Sequence, residues 1–214
     1  MNEETPETVK LLGLQWSRTT DALSTKSLML DGKANTKRLI LKSIAGHFNL
    51  FSFTGPILNR ARLFLHGLQC DSTIGWDSPL SEDLMHEWRK TCKQVNSSKD
   101  INIDRFVGRR DGSYCLIAFV GSSKEIYGAV IFIQDITSGK VSFLMAKNRL
   151  VNRQLSTKSI PALEFQAITL GTEILIDLYR ELSGPSCVHP INILNLYLYS
   201  DSMVSLSWIC TQVG

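Results

Sequence analysis

The sequence predicts an α/β protein: a helical region, then a mixed sheet made of an antiparallel three-strand meander, a long helix and a fourth strand. Three observations carry that expectation. Apolar residues recur at helical spacing as far as Val95, whereas from Tyr114 to Ala146 they form strand-length runs broken by turn residues. A long helical pattern then starts at Pro161 and stops at Gly184-Pro185. After it comes a short apolar run, Ile191 to Tyr199, ending in Ser200-Asp201-Ser202.

Taken in order, Leu11 to Trp16 and Leu23 to Leu30 read as two strands of a hairpin around Ser17-Arg18-Thr19-Thr20-Asp21. Leu39, Ile40, Ile44, Phe48 and Phe51 share a helix face. Pro56 suits the first turn of a second helix, whose stripe is Ile57, Leu58, Ala61, Leu65 and Leu68. A third helix is capped by Ser81, with Glu82 and Asp83 in its first turn and Leu84, Met85, Trp88, Cys92 and Val95 inward. A soft boundary falls near 100–112. Tyr114 to Val120 is apolar enough for a central strand covered on both faces. Tyr127 to Ile133 and Val141 to Ala146 complete the meander, and Lys147 to Ser159 reads as a basic polar segment. Met203 to Ile209 begins a last apolar helix.

With 214 residues the chain holds one large domain or two small ones. Its 43% hydrophobic and 20% charged residues describe a globular chain, and its net charge of +3 is too small by itself to indicate nucleic acid. The opening Met1-Asn2-Glu3-Glu4-Thr5-Pro6 lacks the pattern of a secretion signal, and no apolar run has the length of a membrane span. The five dispersed cysteines, none in a Cys-x-x-Cys pair, fit reduced thiols in an intracellular, cytoplasmic setting rather than a disulfide frame or a zinc site. The four histidines are equally scattered.

Two acids stand out. Asp201 follows the fourth strand, where α/β proteins gather their sites, and it also suits the N-cap of the helix that follows. Glu164 is expected in the first turn of the long helix, where the helix dipole favours an acid. It shares a face with Ala167, Ile168, Gly171 and Leu175, which turns the carboxylate toward the core. A buried acid needs a partner or a metal.

The ordered series Leu12-Gly13-Leu14-Gln15-Trp16, Thr36-Lys37-Arg38, Gly55-Pro56, Gly75-Trp76-Asp77-Ser78-Pro79-Leu80, Tyr127-Gly128-Ala129-Val130, Ala146-Lys147-Asn148-Arg149, Ile160-Pro161-Ala162-Leu163-Glu164 and Ser200-Asp201-Ser202 resembles the polyprotein of BEL/Pao-type retrotransposons. The resemblance spans about residues 10 to 209. It implies a segment from the end of the reverse transcriptase (residues 1–35), through a helical connection region (36–100), into a truncated ribonuclease H-like domain (101–214). The implied parent activity is hydrolysis of the RNA strand of an RNA/DNA hybrid by two Mg2+ ions held by carboxylates. Matched to the family pattern, Glu164 is the second acid and Asp201 the third, both expected as catalytic and metal-binding residues.

The first acid of that pattern falls on Gly121, in Phe119-Val120-Gly121-Ser122-Ser123, and the chain ends at Gly214 before the helix that would bring the fourth. Two divalent cations about 4 Å apart repel strongly and need several anions to hold them, so the expected nuclease is weak or inactive. Asp111 and Asp135 flank the opposite strand ends.

No Asp-Thr-Gly or Asp-Ser-Gly protease loop, Tyr-x-Asp-Asp polymerase turn, P-loop or Gly-x-Gly-x-x-Gly cradle occurs. A nucleic-acid-binding reading rests on basic clusters: Lys37, Arg38 and Lys42; Arg60 and Arg62; Arg105, Arg109 and Arg110; Lys147, Arg149, Arg153 and Lys158. Solvated helix faces are the competing explanation. The four tryptophans, Trp16, Trp76, Trp88 and Trp208, are expected to pack in cores. The alternative to a residual nuclease is a non-enzymatic scaffold, in which an exposed sheet edge pairs with a partner.

Overall fold

A computed structural model describes residues 7–11, 14–25, 27–47, 51–109, 111–151 and 157–211. The chain divides into two compact units, residues 1–105 and 106–214.

In the first unit, β1 (Thr8–Leu11), β2 (Leu14–Ser17), β3 (Ala22–Ser24) and β4 (Asn102–Asp104) form an antiparallel sheet in chain order. The expected hairpin is β2–β3, shorter than the apolar pattern indicates. Leu28 and Leu30 leave the sheet for the helical core because Asn96 takes both backbone groups of Leu30, its Oδ1 accepting the N–H at 2.7 Å and its Nδ2 donating to the carbonyl at 3.0 Å. Asp21 holds the hairpin turn at φ 49°. It accepts the Trp16 indole N–H at 2.9 Å and both arms of Arg105 at 2.6 and 3.0 Å.

The helices are α1 (Lys37–Ala45), α2 (Gly55–Cys70) and α3 (Glu82–Asn96). Ser81 caps α3 as expected, accepting the Leu84 N–H, and Thr36 caps α1 in the same way. α1 stops at Ala45, so Phe51 lies in a turn rather than on its face, and Phe48 lies outside the described residues. Ile40, Ile44, Leu58, Ala61, Leu65, Leu68, Met85, Trp88, Cys92 and Val95 close the core. Each of the larger of these side chains contributes about 1.5–3 kcal/mol by burial.

The second unit contains β5 (Ser113–Ser122), β6 (Ile126–Asp135), β7 (Val141–Leu150), α4 (Ile160–Ser183), β8 (Asn192–Tyr199) and α5 (Met203–Cys210). The sheet order is β7-β6-β5-β8, with β5, β6 and β7 an antiparallel meander and β8 parallel to β5. This is the predicted architecture. α4 has Pro161 in its first turn and ends at Gly184, and it packs on β5, β6 and β8. Gly171 permits the approach, since a Cβ there would run into the Val120 side chain. Leu116, Ala118, Ile131, Leu163 and Ala167 are buried between helix and sheet.

Two expectations need correction. β5 is central, but its face away from α4 is covered only in part, over Cys115. On the side away from α4, Phe119 is half exposed and belongs to a row of rings, Phe143, Phe132, Phe119 and Tyr199, crossing all four strands with centroids 5.3–6.1 Å apart. And β7 runs on to Leu150, so Lys147 and Arg149 are strand residues rather than part of a polar connection.

Candidate functional site

β5 and β8 are parallel neighbours, so their carboxyl ends reach the same rim of the sheet. The pairing ends at Phe119 and Tyr199, so Gly121 and Asp201 each lie two residues beyond its last pair, at that rim. α4 begins over the same rim. Glu164 Oε1 accepts the Ser122 N–H at 3.0 Å, which ties the helix to the end of β5. α5 closes the group: Ser205 Oγ donates to the Pro161 carbonyl at 2.8 Å.

Glu164 is buried, as its face predicted, among Leu163, Ala167 and Ile168. It is the fifth residue of α4, past the first turn, so the helix dipole is not what holds it there. Its Oε2 is buried with no hydrogen-bond partner, and the neighbouring Ser122 Oγ is in the same condition. Both oxygens are buried polar atoms, of the kind that a folded chain ordinarily satisfies. Sequence reasoning missed Ser122. The signal available was its position, directly after Gly121 at a strand end.

Asp201 is exposed, and its carbonyl accepts the Met203 N–H at 3.1 Å. It is not the cap of α5. That role belongs to Ser202, whose Oγ accepts the Ser205 N–H at 3.3 Å. Asp111 and Asp135 lie at the other end of the strands: Asp135 pairs with Tyr114, seven residues before Gly121, which at strand rise is about 23 Å. Hydrogen bonds from Ser138 and Thr137, with a smaller effect from Arg109, hold the Asp135 carboxyl below the usual carboxylate range.

The donor set does not fit a two-cation centre. Among the described residues no three His, Cys, Asp or Glu side chains come together, and glycine stands at position 121, two residues past the last β5–β8 pair. An ideal Cβ on Gly121 meets nothing within 4 Å, so the site has room for the side chain it lacks.

The basic residues have separate environments. Lys37 is buried, and its Nζ donates to the Asp71 carbonyl at 2.9 Å. Arg38 grips Asp77 through Nε and Nη2 at 2.6 and 2.9 Å, and the Asp77 carboxyl is thereby held below its usual range. The Arg38 N–H also donates to the Trp76 carbonyl and the Leu80 N–H to the Asn35 carbonyl. The segments 35–38 and 71–80 thus tie to each other. Arg105 engages Asp21 and stacks 5.2 Å over Trp16.

Lys147 and Arg149 differ. Both are exposed, and neither has an ion-pair partner among the described residues. They pair with Ala129 and Tyr127, core residues under α4, so they project on the helix side of the sheet. Ser122, Tyr127 and Arg149 stand in one row across three strands, which puts Arg149 two strand spacings, about 10 Å, from Ser122. Arg109 is exposed at the far end and lines a cleft of about 220 Å³ with Phe106, Lys140 and Asp135. Arg110 and Arg153 lie outside the described residues.

Of the tryptophans, Trp88 is fully buried and donates its Nε1–H to the Asp31 carbonyl at 2.9 Å. Trp76 and Trp208 are each 44% exposed and are not core residues.

A three-strand meander, a crossing helix with an inward acid, and a parallel fourth strand ending in a second acid make up a ribonuclease H-like fold. Residues 36–202 match the Pao retrotransposon-like RNaseH-like domain, and the chain belongs to that family. Two solved structures share the fold. One is a foamy viral protease-reverse transcriptase dRH in complex with double-stranded DNA (TM-score 0.54, 12% identity, 94% of this chain and 32% of that one). The other is a foamy viral protease-reverse transcriptase in complex with double-stranded DNA (TM-score 0.52, 11% identity, 96% and 39%). The chain therefore spans 32% and 39% of those two proteins. No curated protein matches it. No helix among the described residues is long and apolar enough to cross a membrane.

Proposed function

We propose that this chain is a duplex-holding part of a retrotransposon polyprotein whose hybrid-cutting centre is impaired. The observation that carries the reading is Gly121, which has no side chain at the end of β5, the strand end to which Glu164 is tied and beside which β8 leads into Asp201. Glu164 and Asp201 are the two carboxylates of this chain that would hold Mg2+, and they are fewer than a two-cation centre needs. What the chain's own residues do is position: Glu164 fastens α4 to β5, and Arg149 and Lys147 offer phosphate contacts on the same side of the sheet. The likeness to two foamy viral enzymes bound to double-stranded DNA supports a duplex as the ligand, with RNA/DNA hybrid the one the family implies. Dispersed free cysteines accord with an intracellular setting.

The test is a cleavage assay with the purified chain, a labelled RNA/DNA hybrid and Mg2+, run beside a binding assay on the same hybrid. Binding without cutting is the expected result. Magnesium-dependent cutting that disappears in Glu164→Gln would overturn the impairment, and no binding at low salt would overturn the duplex role.

A further inference from the structure

At the end of the sheet opposite the Glu164 rim lies the cleft of about 220 Å³, which the duplex reading does not use. One wall is the segment 106–109, the other the β6–β7 turn with Asp135, Ser138 and Lys140. Both walls are fixed by their own backbone. The Tyr114 hydroxyl donates to the Arg109 carbonyl at 2.6 Å, and its ring tip lies between Gly108 and Gly112, at each of which a Cβ would collide with it. Glycine lets the chain pass the ring closely on both sides. In the turn, Asp135 Oδ1 accepts the Thr137 N–H at 2.9 Å and the Ser138 N–H at 3.3 Å, and the Asp135 N–H donates to the Lys140 carbonyl at 2.9 Å. A cleft held in this way needs little ordering when a ligand enters.

We propose that this cleft receives one unpaired nucleotide of a nucleic-acid strand, its phosphate against Arg109 and Lys140 and its base on the Phe106 ring. Phe106 is 51% exposed, and Arg109 and Lys140 are exposed at the same opening. Arg109 makes no ion pair among the described residues and acts on Asp135 only through space. Asp135 is the acid in the cleft, and its Oδ1 is engaged by the turn amides, so two cations face one carboxylate that is already partly satisfied.

A guanidinium beside an open aromatic ring suits both parts of a nucleotide. The planar fork pairs with phosphate oxygens, and the ring stacks on the π-face that every base has. Size narrows the occupant further. The cleft is smaller than the roughly 300–1,000 Å³ usual for drug-sized ligands, which limits it to one nucleotide and leaves no room for a paired segment. The inference does not rest on the duplex reading, because Arg149 pairs with Tyr127 at one end of β6 and the cleft lies at the other, beside Asp135.

Fluorescence anisotropy of a labelled hexathymidylate, titrated with the full chain at low salt, tests it beside the same measurement on a blunt RNA/DNA hybrid. Arg109→Ala and Phe106→Leu are each expected to weaken hexathymidylate binding about tenfold. Phe106→Tyr, which keeps the ring, should retain the wild-type affinity, a rescue that a folding defect in Phe106→Leu would not explain. Both Phe106 variants should leave hybrid binding unchanged. Thymidine monophosphate should displace the labelled strand at lower concentration than inorganic phosphate does. A wild-type chain that does not bind hexathymidylate, cleft variants that bind it as well as wild type, or a Phe106→Leu that weakens the hybrid equally would each overturn the proposal. So would inorganic phosphate or O-phosphotyrosine competing as well as the nucleotide, since the base would then take no part.

Discussion

Glu164 Oε1 accepts the Ser122 amide proton at 3.0 Å, while Oε2 of the same carboxylate is buried without a partner. One half of the group is thus a structural clasp between α4 and β5, and the other half is a buried acceptor without a partner. The two halves separate by mutation. Glu164→Gln keeps an acceptor for Ser122 and is expected to change unfolding free energy by no more than about 1 kcal/mol. Glu164→Leu strands the Ser122 amide and is expected to cost about 1–3 kcal/mol. Urea unfolding of the three proteins checks this, and equal losses for both variants would refute the clasp.

Gly121 is the position at which the family's chemistry could be rebuilt. Its Cβ would point into open space, so Gly121→Asp should fold with a stability change under about 1 kcal/mol. The new carboxylate would stand beside Asp201 and near Glu164. Millimolar Mg2+ or Mn2+ is then expected to raise the melting temperature of the variant more than that of the wild type, because an ion that binds only the folded state stabilises it by mass action. Identical metal responses of the two proteins would show that the three positions do not converge.

Sequence patterns of this kind record local needs well and distant partners poorly. Ser81, Pro161 and Gly184 announce helix ends because capping is decided within a few residues, and the meander is legible because its turns are short. The inward face of Glu164 could be read because α4 is long and its stripe is regular. The buried state of Lys37 could not, since the carbonyl that accepts its proton belongs to Asp71, 34 residues on. Arg38 looks like a phosphate ligand until Asp77, 39 residues away, closes on it. Leu28 and Leu30 continue a strand pattern that Asn96 interrupts from the end of α3. Ser202 displaced Asp201 as the cap by a single position, a distinction that composition does not make.

Cys92 gives the helical unit a dependence on alkaline pH. Burial, with help from the Asp31 charge, pushes its thiol from an ordinary 9.0 up to about 11. A group whose pKa is higher folded than unfolded stabilises the fold in full below pH 9, and that stabilisation is lost as the pH rises through 11. Wild type should therefore lose stability between pH 9 and 11 relative to Cys92→Ala, whatever the packing cost of the variant at neutral pH. Urea melts of both proteins across that window read the difference directly. Parallel slopes would mean that the thiol ionises as easily folded as unfolded.

Lys147 and Arg149 are the cations that the duplex reading depends on, because both are exposed on the side of the sheet that carries Glu164, with no ion-pair partner among the described residues. Each phosphate contact releases counterions, so removing one should lower the slope of log affinity against log salt by about 1 and weaken binding across sequences alike. Lys147→Ala and Arg149→Ala are each expected to show that change on an RNA/DNA hybrid measured at two or more salt concentrations. Lys37→Met supplies the contrast: its ammonium is buried against the Asp71 carbonyl, so it should destabilise the fold by about 1–3 kcal/mol while leaving the salt slope unchanged. If Lys37→Met lowers the slope and the β7 variants do not, the phosphates lie against the first unit and the proposed surface is misplaced.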